Sequence, residues 1–99
     1  MFVHTVLFHL KEALSNEEIA AFESGLDSLK GIAANKAIYI GKVADTHSRN
    51  FVRSDYDYNL TLLFDDIEAH NTYQVDPLHK AFVAENSKFW VRIEIIDSE

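Results

Sequence analysis

The stretch Phe2–Leu10, FVHTVLFHL, decides the fold. Its residues alternate as a strand, placing Phe2, His4, Val6, Phe8 and Leu10 on one face and Val3, Thr5, Leu7 and His9 on the other. Both faces are substantially apolar, so this strand needs cover on both sides. Downstream, Ser15 and Glu18 have capping-box spacing, and Ile19, Phe22, Leu26 and Leu29 recur every three or four residues until Gly31, a plausible stop. That pattern predicts an amphipathic helix of about four turns. A second strand is expected over residues 36–44 (KAIYIGKVA). The polar connection over 45–53 (DTHSRNFVR) is longer than a hairpin turn. A third strand is expected over 56–64, with Tyr56, Tyr58, Leu60, Leu62 and Phe64 on one side. Asp65 and Asp66 offer caps for a short helix through Ile67, His70 and Tyr73. Asp76 and Pro77 restart it toward Leu78, Phe82 and Val83, since Asp suits the cap and Pro the first helical position. Residues 90–97 supply a last strand, in which Val91, Ile93 and Ile95 oppose Arg92 and Glu94.

The order is βαββαβ in a single domain, residues 1–99, and predicts an α+β ferredoxin-like sandwich. Two helices cover one face of a four-stranded sheet. Val3, Leu7, Leu63 and Ile96 fall on the other, where a lone chain would leave them wet. Burying apolar surface is worth about 25 cal/mol per Å², and a second copy of the same sheet is the simplest cover. The expected assembly is a homodimer in which two sheets enclose an α/β barrel.

Composition narrows the partners. Nine Lys and Arg stand against 16 Asp and Glu, a formal charge of −7 that repels phosphate backbones and anionic lipid, so neither nucleic acid nor membrane is an expected partner. Cysteine is absent, which removes thiolate chemistry and cysteine zinc sites and fits a reducing, cytoplasmic setting. The opening residues lack a basic region and a cleavage pattern and are read as structure. The remaining histidines, His9, His47 and His70, form no HxH or HExxH pair, so no metal site is expected from spacing. Gly25, Gly31 and Gly41 are too scattered to cradle a phosphate, and no nucleotide motif or other cofactor signature is present.

The segments FVHTVLFHLKE, SNEE, NLTLLF, TYQVDPLHKAF and WVRIEIID together resemble the stress-responsive dimeric α/β-barrel family over essentially the whole chain. The resemblance implies a ferredoxin-like protomer and an obligate dimer. The family includes plant stress proteins and a cofactor-independent polyketide cyclase, olivetolic acid cyclase. By that resemblance His4 matches the cyclase's strand histidine, and Tyr73 and His79, six positions apart, match its catalytic tyrosine and histidine. Two departures stand out: Tyr58 replaces a pocket histidine, and Asp76-Pro77 replaces the family's His-Pro. The catalytic skeleton is present, while the specificity elements differ.

The residues themselves are compatible with that chemistry. With Asp76 as cap, His79 sits third in its helix, where the dipole favours neutral imidazole and so a proton acceptor. Tyr73 can then donate to a developing enolate oxygen while His4 fixes the tautomer of His79. Tyr58, Phe22, Leu26, Phe82, Phe89 and Trp90 are candidate ligand-binding residues, though plain core is the favoured reading of their spacing, with the Tyr58 hydroxyl anchored at the rim. Likewise, a lone His4 on an apolar face is often only a hydrogen-bonded core residue. The expected ligand is a small apolar or aromatic carbonyl metabolite. Rival readings are a non-catalytic stress oligomer and a cofactor-independent monooxygenase or haem-handling protein.

Overall fold

In the computed structural model, which describes residues 1–46 and 50–99, β1 (Phe2–Leu10) is an inner strand of a four-stranded antiparallel sheet. It pairs on one side with β3 (Tyr58–Phe64) and on the other with β4 (Trp90–Ser98), and β2 (Ala37–Gly41) adds the outer strand beside β3, giving the order β2-β3-β1-β4. The register Phe2↔Phe64, His4↔Leu62, Val6↔Leu60 and Phe8↔Tyr58 puts the large side chains of both strands on one face. Across the other seam His4↔Asp97, Val6↔Ile95 and Phe8↔Ile93 bring three β4 side chains to that same face.

Three helices pack there. Ser15 caps α1 (Asn16–Ser28) with the full capping box, and Phe22 and Leu26 face the sheet. A 3-10 turn, Leu29–Gly31, completes the helix, so Gly31 ends the turn and not the α-helix itself. Asp66 caps α2 (Ile67–Val75) through the Ala69 amide, and Asp76 caps α3 (Pro77–Asn86) through the Leu78 amide. The expected second helix is thus two helices joined at Asp76, because the proline ring has no N–H to continue α2. The core comprises Val6, Phe8, Leu60, Leu62 and Phe64 beneath Phe22, Leu26, Tyr73 and Phe82.

Two strands are shorter than their patterns predict. β2 covers Ala37–Gly41 and not 36–44, because its last pair, Gly41↔Asn59, lies one residue from the start of β3. β3 starts at Tyr58 and not at residue 56: the Asp57 amide donates to the Phe8 carbonyl at 2.9 Å, and the Asp57 carboxylate accepts from the Leu10 amide at 2.7 Å. The polar connection expected at 45–53, with His47 in it, lies partly outside the described residues.

On the sheet face away from the helices lie Val3, Thr5, Leu7 and His9 of β1, Ala37 and Tyr39 of β2, Thr61 and Leu63 of β3, and Glu94 and Ile96 of β4. Tyr39 is 60% exposed and Ile96 56%. Leu7 departs from expectation, being only 5% exposed within the single chain. Near it Arg53, from the connection before β3, pairs with Glu94, and Glu94 also holds His9 Nε2 at 2.5 Å. With two cations and a histidine around it, the Glu94 carboxyl is pushed down to about 2, the Arg53 hydrogen bond contributing most.

Candidate functional site

Between the sheet and α2–α3 lies a cavity of about 140 Å³. Val6, Phe8, Leu60, Phe82, Val83, Trp90, Ile93 and Ile95 make its walls apolar, and His4, Tyr73, Gln74 and His79 supply its polar atoms. Each polar group arrives by a separate local rule. His4 is at an even position of β1 and therefore points toward the helices. Tyr73 lies on the buried stripe of α2. His79 is the third residue of α3, placed there by the Asp76 cap and Pro77.

The rings follow one another. Tyr73 and His79 have centroids 4.7 Å apart, His4 and Tyr73 6.2 Å apart. Tyr73 is 1% exposed, and no hydrogen bond of its hydroxyl is found among the described residues; burial alone raises its pKa well above the usual phenol range. Burial likewise lowers His79 below the ordinary histidine value, helped by nearby His4 and His70 and opposed by the Gln74 backbone and Asp76. His4 is also lowered, mainly by burial, although its Nδ1 lies 2.5 Å from Asp97 Oδ1, which works in the opposite direction. An Asp-paired imidazole, a neutral imidazole and an unpartnered phenol thus share one apolar chamber, a combination suited to holding a carbonyl group and moving a proton beside it.

Sequence reasoning and structure part company at several residues. Of the candidate ligand-binding residues, Phe82 and Trp90 line the cavity, whereas Tyr58, Phe22, Leu26 and Phe89 do not. Phe22 and Leu26 are fully enclosed in the core, Phe89 packs edge-on against Phe22, and the Tyr58 hydroxyl turns outward to donate to Glu23 Oε2 at 2.5 Å. Helical spacing identified buried positions correctly but could not tell core from cavity wall. His4 Nδ1 is committed to Asp97, and the Tyr73 ring lies near both histidines. Asp97, Gln74, Ile93 and Ile95 were missed. The parity of β4 would have placed Ile93, Ile95 and Asp97 together on one face, but their pairing with the His4 face depends on register. His70, read as unpaired from spacing, lies with its ring centroid 4.9 Å from that of His4.

The architecture and cavity define a ferredoxin-like α+β protein with a largely apolar chamber under the helices. The sequence profile of the Stress responsive A/B Barrel Domain family matches residues 2–99, and the chain belongs to that family. Among curated proteins none matches the sequence. Among solved structures, the fold is similar to that of a Dabb-family protein with a ferredoxin-like fold from Mesorhizobium loti, at 24% identity and a TM-score of 0.79, covering 99% of this chain and 94% of that one. It is similar as well to a dimeric ferredoxin-like protein of unknown function from Thermobifida fusca (17% identity, TM-score 0.78, 98% and 88% covered). A third similar structure is the hydroxynitrile lyase of Passiflora edulis, at 19% identity and a TM-score of 0.78, with 98% and 90% covered. Among the described residues no helix is long and apolar enough to cross a membrane.

Proposed function

We propose that this chain is a homodimeric, cofactor-free acid–base catalyst acting on a small aromatic or apolar carbonyl compound in the cytoplasm, with chemistry of the polyketide-cyclase type. The observation that carries this reading is the unpartnered Tyr73 hydroxyl beside a neutral His79 in an apolar cavity. A dry cavity of about 150 Å³ holds benzene, so the space of about 140 Å³ here suits a compound of about one ring, any substituent reaching toward the polar side chains that line it. Tyr73 donates its hydrogen bond to the carbonyl oxygen, and more strongly to the enolate oxygen that develops from it. His79 takes the proton from the adjacent carbon and later returns it. His4, held through Nδ1 by Asp97, keeps its other ring nitrogen for the chamber and positions the carbonyl. Phe82 and Trp90 exclude water from the ring of the substrate.

Two kinds of neighbour support parts of this reading. The Thermobifida protein is dimeric, in line with a second copy covering Tyr39, Leu63 and Ile96. The Passiflora protein is a hydroxynitrile lyase, which shows that a similar fold carries an enzyme. The test is deuterium uptake into the methyl group of acetophenone in heavy water, followed by NMR. The wild-type protein is expected to accelerate uptake, His79→Ala to lose it by about 100-fold or more, and Tyr73→Phe by a comparable factor. Uptake by His79→Ala equal to the wild type would refute the role given to His79.

A further inference from the structure

Next to the cavity, three side chains from three elements converge: His4 of β1, His70 of α2 and Asp97 of β4. One donor atom from each lies within 4.8 Å of the others, and the residues are 27 to 93 positions apart, which is why spacing along the chain gives no sign of them. We propose that these three residues form a binding site for a divalent first-row transition ion such as Zn²⁺ or Co²⁺.

The donor set has the chemistry such ions take, two imidazoles and one carboxylate. Its scaffold is rigid on one side and adjustable on the other. His4 is 3% exposed and fixed between the sheet and α2, with its ring tilted against that of His70 and edge-on to that of Tyr73. The Asp97 side chain is 39% exposed and free to adjust, whereas half-buried His70 packs against Phe2 and Phe64 with Nδ1 near Asn71 Oδ1 and Nε2 near Gln74 Nε2, so it gives up one of these contacts to bind the ion. Ligands at about 2.1 Å from a tetrahedral ion stand about 3.4 Å from one another. The widest separation, at most 4.8 Å, closes by about 1.4 Å through His70, while His4 Nδ1 and Asp97 Oδ1, now 2.5 Å apart, open by about 0.9 Å as Asp97 adjusts. The proton now held between His4 Nδ1 and Asp97 Oδ1 leaves to solvent when the metal takes both atoms, a common accompaniment of metal binding. Three protein ligands leave a fourth position open to water.

This site is independent of the carbonyl reading, although the two share His4. Metal uptake breaks the His4–Asp97 hydrogen bond on which the positioning of His4 depends. Titrating tag-free protein with Co²⁺ tests it, reading the visible absorption of the bound ion together with calorimetric stoichiometry. One Co²⁺ per chain is expected, with affinity reduced at least about tenfold in both His70→Gln and Asp97→Asn. Both replacements are close in size to the native side chains, and circular dichroism checks that each variant is folded. Absence of saturable Co²⁺ binding to the wild type, or unchanged affinity in both folded variants, overturns the proposal. Because absorption and heat are read instead of turnover, failure here leaves the acetophenone experiment untouched.

Discussion

Tyr73, buried, and His79, half-buried beside it, show how one pair acquires opposite readiness from the same cause. Desolvation disfavours charge on either group, so the phenol keeps its proton and the imidazole resists taking up a second one. The groups facing His79 are Tyr73 and the Gln74 backbone from α2, Asp76 at the head of its own helix, His70 from α2 and His4 from β1. Burial outweighs Asp76 and the Gln74 contact. His79 should therefore titrate below the ordinary histidine value of 6.5 when followed by NMR in the presence of a chelator. Between its folded and unfolded values the unfolded chain binds more protons, so this residue makes folding more favourable as pH rises through that window and less favourable in acid. A midpoint above 6.5 would contradict the assignment. At this scale the sequence was informative about which residues matter and silent about their partners. His4, Tyr73 and His79 were identifiable, but the Asp97 bond joins residues 93 positions apart and exists only through the pairing of β1 with β4.

The elements were read with more success because their signals are local. The Ser15–Glu18 box, the Asp66 cap and the Asp76–Pro77 start all appear where the side-chain chemistry requires them. Asp76 also ends α2, its amide donating to the Tyr73 carbonyl at 3.1 Å while its carboxylate accepts from Leu78. One residue thus sets the angle at which the helices bearing Tyr73 and His79 meet. Asp76→Ala should cost about 1 kcal/mol, a fall of about 4 to 8 °C in melting temperature for a domain of this size, measurable by calorimetry. An unchanged melting temperature would mean that the cap is dispensable. Strand ends were the less legible part. Alternation continues through residues 36, 42 and 56, but a strand ends where its partner does, and that information lies on the neighbouring strand.

For the whole molecule, the sheet face bearing Tyr39, Leu63 and Ile96 extends the reasoning from one chain to two. Its apolar residues were legible from strand parity; that Leu7 is already buried within the single chain was not, since parity gives the face of a residue and not its cover. Sedimentation of the wild type should give a dimer at micromolar concentration, and Ile96→Asp, which places a charge on that face, should shift it toward monomer without loss of helix content. A wild-type monomer would remove the barrel. The separation of cavity wall from core also appears only at this scale. Phe82 and Phe22 follow the same helical rule, yet only Phe82 borders the open space between α3 and β4. The central claim is that this space receives a carbonyl compound against Tyr73. A crystal structure of the protein soaked with acetophenone tests it most directly: the account predicts the ring against Phe82 and Trp90 and the carbonyl oxygen within hydrogen-bonding distance of the Tyr73 hydroxyl. An empty cavity at saturating ligand, or a bound ligand whose oxygen points away from both Tyr73 and His79, would contradict it.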